Sequence, residues 1–368
     1  MQNPSLLYQY QEIARELKDQ ILRGDFQKDG RLPSERILVE RFSVQRNTVR
    51  QALALLEREG QISIEKKRGS FIKSAPVSAE GRSFLINAHG GFSPNLSRLR
   101  SGFRSAASRA GYGMKLFDSQ PPEGAALDPI PEVSKLDPEI AGAVVWPQIP
   151  TNANALLSLN AAIPLVLVDR RVIGLSMDCV RFADLDGAQV LAEHLIAEGH
   201  RKIGFISDEV FVETVHNRWR GYASALEAHD IPIDPRLTLF FHGLDAPYFA
   251  LALRHIFRLG KDAPSAIMCS NDVVALCLLR FLHDEGIRVP DDIAVTGYGN
   301  TMPDYASAMS LTTVDQPFFE LGQAAANILI ERVGQSYAER SRVNHDIEIP
   351  VQLVVRGSTD SRQSQEAS

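Results

Sequence analysis

Seven short apolar runs recur along most of this chain: Phe84–Asn87, Ala141–Trp146, Pro164–Val168, Ile203–Ile206, Leu237–Phe241, Ser265–Cys269 and Asp292–Gly297. Longer stretches with helical spacing fall between most of them, for example Leu185–Glu198, Arg220–Ala228 and Val273–Glu285. Short continuous apolar runs read as strands buried on both faces, and the intervening period as amphipathic helix. Strand and helix in alternation build a parallel sheet covered on both sides. At about 270 residues this stretch exceeds one doubly wound sheet of ordinary size, so two stacked lobes are expected. No internal repeat is visible.

The residues ahead of this stretch follow a different plan. A first helix is expected from about Leu6 to Arg23, with Tyr10, Ile13, Ala14, Leu17 and Ile21 on one face and Gly24 ending it. A short helix follows from Ser34, which can cap its free N–H groups. A third runs from Gln45 to Glu59 and stops at Gly60. On it Val49, Ala52, Leu53 and Leu56 share one arc, while Arg46, Asn47 and Arg50 fall on another that faces solvent. Two helices joined by a tight turn, the second presenting Arg-x-x-x-Arg, form a helix-turn-helix with a recognition helix. The strand-like QISIE and SFIK then enclose Lys66-Lys67-Arg68-Gly69, a basic hairpin tip. These residues form a head, 1–74. The small, turn-prone residues 75–83 read as a linker, 84–360 as a two-lobed body, and the polar tail 361–368 as disordered.

Charge divides along the same line. The head carries 14 basic and 10 acidic residues and the remainder 25 and 35, so a net +4 sits beside a net −10. Such asymmetry points to a nucleic-acid contact at one end. With 44 % hydrophobic and 23 % charged residues, global disorder is excluded. Three cysteines without a C-x-x-C pair make no disulfide framework, and the N-terminus lacks the apolar core of a signal peptide. No apolar run approaches a membrane span. A cytoplasmic location is expected.

The head resembles the winged-helix domain of GntR-family transcription regulators. The resemblance covers residues 8–73 and rests on Leu32-Pro33-Ser34-Glu35-Arg36, Thr48-Val49-Arg50, Glu59-Gly60 and the wing glycine. Ser43 stands where the family usually has Gly, Gln45 where it has Ser, and Asp29 where Pro precedes Gly30. By position the resemblance implies that Arg36 and Arg46 hold phosphates, and that Asn47 and Arg50 reach base edges or phosphates. Thr48 belongs to the same recognition segment, and Lys67, Arg68 and Gly69 would sit at the minor groove. Phosphate contacts set register and base contacts set specificity.

The body is similar to the effector domain of LacI/GalR-type repressors, which share the fold of periplasmic sugar-binding proteins. The resemblance spans about 84–359. It rests on the Gly199-His200-Arg201 turn, the Asn271-Asp272 pair, Leu311-Thr312-Thr313 and the segments around them. Head and body together resemble the arabinose-repressor-like branch of GntR regulators. The implied fold class is α/β: a winged helix-turn-helix followed by a two-lobed, periplasmic-binding-protein-like (type I) doubly wound domain. The lobes are expected at 84–181 with 316–340, and 182–313 with 341–360.

Ligands of open α/β sheets bind outside the carboxyl ends of the strands. The effector-binding candidates are therefore His89, Asp169, Arg170, Arg218, Asn271 and the turn Gly297–Gly299, with Phe318 as a stacking wall. Asp169 and Asn271 could instead cap helices, Phe318 could be core, and His200 reads as a structural turn residue. One departure stands out: the family usually has Asp after Gly-Tyr, and here that place is Gly299. Likewise Ala183-Asp184 replaces the usual Asp-Asn. The lost acid argues for a shifted, smaller or more acidic effector, or for another group filling the gap.

No catalytic or phosphate-loop motif occurs, the nine His lack metal-ligand spacing, and neither cofactor nor metal is expected. The expected function is an effector-controlled transcription regulator, a repressor and homodimer, binding double-stranded operator DNA and a carbohydrate. The alternative is a solute-binding protein with no regulatory role on DNA.

Overall fold

A computed structural model describes residues 10–11, 13–17, 20–21, 32–42, 44–58, 62–65, 69–72, 82–87, 94–117, 130–147, 151–210, 212–241, 247–301 and 309–359. The chain divides into two compact units, residues 1–80 and 81–368.

In the first unit, α1 has its described helical residues between 10 and 21, α2 spans Glu35–Phe42 and α3 spans Arg46–Arg58. The expected apolar faces meet here. Ile13, Leu17 and Ile21 of α1 pack with Leu38 of α2 and with Val49, Ala52, Leu53 and Leu56 of α3. Arg41 of α2 donates to Gln20 (3.0 Å) and Glu16 (3.3 Å) of α1. The wing is an antiparallel pair, β1 (Ile62–Glu65) and β2 (Gly69–Ile72), with Ile62 opposite Ile72. Ile62 joins the helical core, and the Leu32 N–H donates to Ser70 O at 2.9 Å, tying the approach to α2 to the wing. Lys67 and Arg68 lie outside the described residues.

The second unit holds two parallel sheets. The first has six strands in the order β13-β7-β6-β5-β3-β4. These are β3 (Ser83–Asn87), β4 (Gly113–Phe117), β5 (Ile140–Val145), β6 (Leu165–Asp169), β7 (Asp178–Phe182) and β13 (Asp346–Ile349). On one face lie α4 (Pro94–Arg109) and α10 (Phe318–Arg332), around Phe84, Phe103, Phe182 and Leu321. On the other, α5 (Ala153–Ala162) inserts Leu156 and Leu159. The second sheet, in the order β11-β10-β8-β9, comprises β8 (Ile203–Ser207), β9 (Thr238–Phe240), β10 (Ala266–Cys269) and β11 (Ala294–Thr296). Helices α6 (Asp184–Ala197) and α7 (Glu213–Ala228) cover one face, α8 (Pro247–Phe257) and α9 (Asp272–Asp284) the other. A short antiparallel pair, β12 (Thr313–Asp315) and β14 (Gln352–Val354), completes the unit.

The chain passes between the sheets after β7, between β12 and α10, and between β13 and β14. The last crossing corrects the expected lobe boundary. Residues 341–360 do not all join the second lobe, because Asp346–Ile349 runs parallel to Cys179–Phe182 and extends the first sheet. As an edge strand of mixed polarity it carried no run signal, and pairing alone decided its side. Ser83, expected in the linker, is the first residue of β3 and pairs with Gly113. β4, β7 and the three C-terminal strands had also escaped the apolar-run reading, since Lys115, Asp178, Arg181, Asp315 and Gln352 interrupt them. Residues 361–368 and His89 lie outside the described residues.

The α4–α10 contact depends on two glycines. A Cβ on Gly322 would stand 2.0 Å from Leu99 O, and one on Gly102 1.8 Å from Phe319 O, so these backbones touch directly. Gly322→Ala is expected to force the helices apart and to lower the stability of the full chain by ~1–3 kcal/mol. A urea midpoint equal to that of the unaltered protein would show that the helices can part freely.

Candidate functional site

The head presents its charged face from two helices. Arg46 and Arg50 sit one turn apart on α3, both exposed, as the period of the sequence requires. The structure adds a residue that the sequence reading had used only as part of a motif. Glu35, at the start of α2, accepts from Arg46 Nε at 2.6 Å and from Arg50 Nε at 3.1 Å with each oxygen. Hydrogen bonds from Arg46 and then Arg50 hold the Glu35 carboxyl below its usual pKa. The two guanidiniums are thus pre-oriented side by side by one acid. Only the positive arc had a sequence signal; a single acid on another helix has no period to reveal it. Arg36 is exposed and pairs with Glu40 one turn on, at 2.8 Å. Asn47 is exposed, whereas Thr48 is 4 % exposed and faces the helical core. Gly69 opens β2 with φ +121°, a conformation that side chains disfavour.

In the body, candidates from both sheets come together at the strand ends. Asp169 ends β6 with φ 72° and is 4 % exposed. It begins no helix, which sets aside the capping alternative. Its Oδ2 accepts from Trp146 Nε1 at 3.0 Å and from Arg170 Nε at 2.8 Å. Arg218 comes from α7 of the other sheet and is 7 % exposed. Its Nε donates to Asp184 Oδ1 (3.2 Å) and its Nη1 to Ser270 O (2.8 Å), and the guanidinium lies 4.1 Å over the Tyr298 ring. Asp169 is close enough to interact electrostatically with both Asp184 and Arg218. Glu209, beyond β8, interacts in the same way with Arg170, Asp208, Arg218 and Asp169.

Asn271 has two roles in hydrogen bonding. Its Oδ1 caps α9 by accepting from Val274 N at 2.9 Å, and its Nδ2 donates to Asp208 at 2.9 Å. Phe318 is 2 % exposed and packs on Trp146 (centroids 5.5 Å, nearly parallel) and edge-on to Phe182 (4.8 Å). It is core that supports the half-buried Trp146, and Trp146 is the aromatic whose indole N–H meets Asp169. That tryptophan had been read only as the end of an apolar run. His200 Nδ1 meets Ser265 Oγ at 3.0 Å and serves the turn after α6. Gly299 is buried with φ +114°, so a side chain there would be strained. Burial pushes the Asp184 carboxyl up and Arg218 pulls it back; the arginine, raised overall, stays charged.

Among the described residues no group of three or more His, Cys, Asp or Glu is placed to hold a metal, and no helix is long and apolar enough to cross a membrane.

Comparison with known proteins agrees with both units. Residues 9–72 match the gntR family of bacterial regulatory proteins, and residues 192–359 match the periplasmic binding protein-like domain. A relative from Geobacillus stearothermophilus, the arabinose metabolism transcriptional repressor, is 27 % identical over 363 residues, covering 96 % of this chain and 98 % of that protein. The transcriptional repressor PurR of Haemophilus influenzae (strain PittEE) is 32 % identical over 209 residues, 56 % of this chain and 60 % of its own. A LacI family transcriptional regulator from Enterococcus faecium, solved with bound ribose, superposes with a TM-score of 0.59 at 23 % identity, over 75 % of this chain and 98 % of that one. At that identity it speaks for the fold.

The head matches bacterial regulatory proteins and the body a periplasmic binding protein-like domain, and the relatives named above are transcriptional repressors rather than enzymes. More closely, the chain joins a GntR-type head to a LacI-type, periplasmic-binding-protein-like domain, and its full-length relatives are arabinose metabolism repressors.

Proposed function

We propose that the protein is a cytoplasmic, homodimeric repressor whose operator affinity is set by a sugar or sugar derivative bound between the two sheets of its body. The observation that carries this reading is the meeting of Asp169 and Arg170 from the first sheet with Arg218, Asp208 and Asn271 from the second. Carboxylate, guanidinium and amide groups supply the acceptors and donors that a hydroxyl-rich ligand uses, and Trp146 supplies an aromatic face. The ribose held by the Enterococcus faecium protein and the arabinose in the name of the Geobacillus stearothermophilus relative support the ligand class.

On the DNA, Arg36 and Arg46 hold phosphates and Asn47 and Arg50 read bases or phosphates, while the buried Thr48 supports that segment from the core side. Lys67, Arg68 and Gly69 serve the minor groove. Two heads related by a two-fold axis would read a near-palindromic operator. Exposed Tyr248 and Leu251 on α8 and Val273 on α9 offer an apolar face for a second copy, and Arg254 joins these helices by donating to Glu285 (2.9 Å).

A closing of the lobes that alters the spacing of the heads couples effector to operator, typically by ~1–3 kcal/mol in each direction. The test measures melting of the full chain with L-arabinose, D-ribose and D-cellobiose, followed by operator gel shift with any sugar that stabilises it. A sugar that raises the melting temperature and changes operator affinity is expected. Operator affinity indifferent to every stabilising sugar would sink the coupled reading.

A further inference from the structure

We propose that Asp184 sets the charge class of the effector: by neutralising Arg218 inside the cleft it admits an uncharged polyhydroxy ligand and rejects one bearing a phosphate or carboxylate. The proposal rests on the sugar reading above and narrows it.

Arg218 is the most buried cation of the site, and a buried guanidinium without a partner is what an anionic ligand would seek. Here it is already satisfied. Two of its three nitrogens are engaged by Asp184 and by Ser270 O, and the charge lies against the Tyr298 ring. Asp184 is itself only 2 % exposed, and its Oδ1 also accepts from Gln316 Nε2 at 3.2 Å. It stands in the first turn of α6, where the helix dipole favours a negative charge. The acid is therefore built in, with two donors fixing one oxygen.

Arg170 and Arg171 are matched in the same way. Arg170 pairs with Asp169 at 2.7 Å, and Arg171 with Glu213 at 2.8 Å. Carboxylates remain beyond these pairs: Asp208 is held by the neutral Asn271, and Glu209 lies within electrostatic reach of it. The balance at the strand ends is thus neutral to negative. Among the described residues, an entering phosphate would find Arg218, Arg170 and Arg171 each already matched by a carboxylate, and so little charge there to replace the water it must shed.

Position 299 lies beside the same hydrogen-bonded group. A Cβ on Gly299 would lie 3.3 Å from Gln316 Oε1, on the amide whose nitrogen donates to Asp184. Gln316 is thus flanked by both places. With glycine at 299, the buried acid paired with Arg218 is Asp184.

The experiment follows melting of the full chain at matched ionic strength with D-ribose, D-ribose 5-phosphate and inorganic phosphate, for the unaltered protein, Asp184→Asn and Asp184→Glu. A ligand that binds the folded state raises the melting temperature with its concentration. Asp184→Asn should gain an upward shift with inorganic phosphate over the unaltered protein, and Asp184→Glu should not. The head is common to all three proteins, so the difference reports the cleft. A purely structural role for Asp184 would lower the melting temperature without creating phosphate binding. No phosphate gain in folded Asp184→Asn overturns the proposal, as does a larger shift from ribose 5-phosphate than from ribose in the unaltered protein. Should Asp184→Asn fail to fold, that ribose comparison decides alone: a shift with ribose and none beyond inorganic phosphate for its 5-phosphate upholds it, and any other order overturns it. If neither ribose form acts but Asp184→Asn gains phosphate binding, the charge role stands and ribose is excluded as the effector.

Discussion

Arg218→Ala is expected to cost the protein both stability and its response to effector. Removing one partner of a buried ion pair leaves the other charged and uncompensated, at ~3–5 kcal/mol. Here the stranded group is Asp184, left with Gln316 as its side-chain donor, while Ser270 O loses its partner as well. The stack on Tyr298 goes with them. Urea unfolding of the full chain should show the lower midpoint, and calorimetric titration with the sugar found by melting should show no binding. Operator binding should survive wherever the body remains folded, giving a permanently repressing protein. Replacing both partners, as in Arg218→Met with Asp184→Leu, should recover part of the stability and none of the effector binding, because apolar residues strand no charge. Normal effector affinity in Arg218→Ala would mean that the cleft is built from other residues.

Operator affinity should fall steeply with salt. The body is net acidic and the head net basic, so attraction to DNA must come from the head. Each phosphate neutralised contributes about −0.9 to the log–log slope, and a dimer engaging roughly six to ten phosphates loses ~10³–10⁵ in affinity between 50 and 200 mM salt. Arg36→Ala, one phosphate contact in each of two heads, should reduce the slope by about two. Arg50→Ala should weaken the specific complex by ~1–3 kcal/mol, and more for the operator than for random sequence if it reaches a base. It also frees Glu35 to serve Arg46 alone. Gel-shift titrations across salt, on operator and on scrambled DNA, separate these effects. A flat salt dependence would show that the charge division is incidental.

What the sequence by itself determined is whatever depends on neighbours within a turn or a strand. The buried arc of Val49, Ala52, Leu53 and Leu56, the outward Arg46 and Arg50, the wing and seven of the strands follow from a period of 3.6 or from a short apolar run. The chain order of Asp169, Arg218 and Asn271 after their strands was legible for the same reason. What only the tertiary structure decided is the pairing of distant groups. Asp184 meets Arg218 across 34 residues and Gln316 across 132, and Asp346–Ile349 chooses the first sheet over the second. Glu35 reaches two arginines on the next helix, and Trp146 comes to hold Asp169. Periodicity is local and fixes which face a residue takes. Which face it then meets depends on strand order, on register and on the three crossings between the sheets, and a side chain's partner carries no mark in the residues beside it.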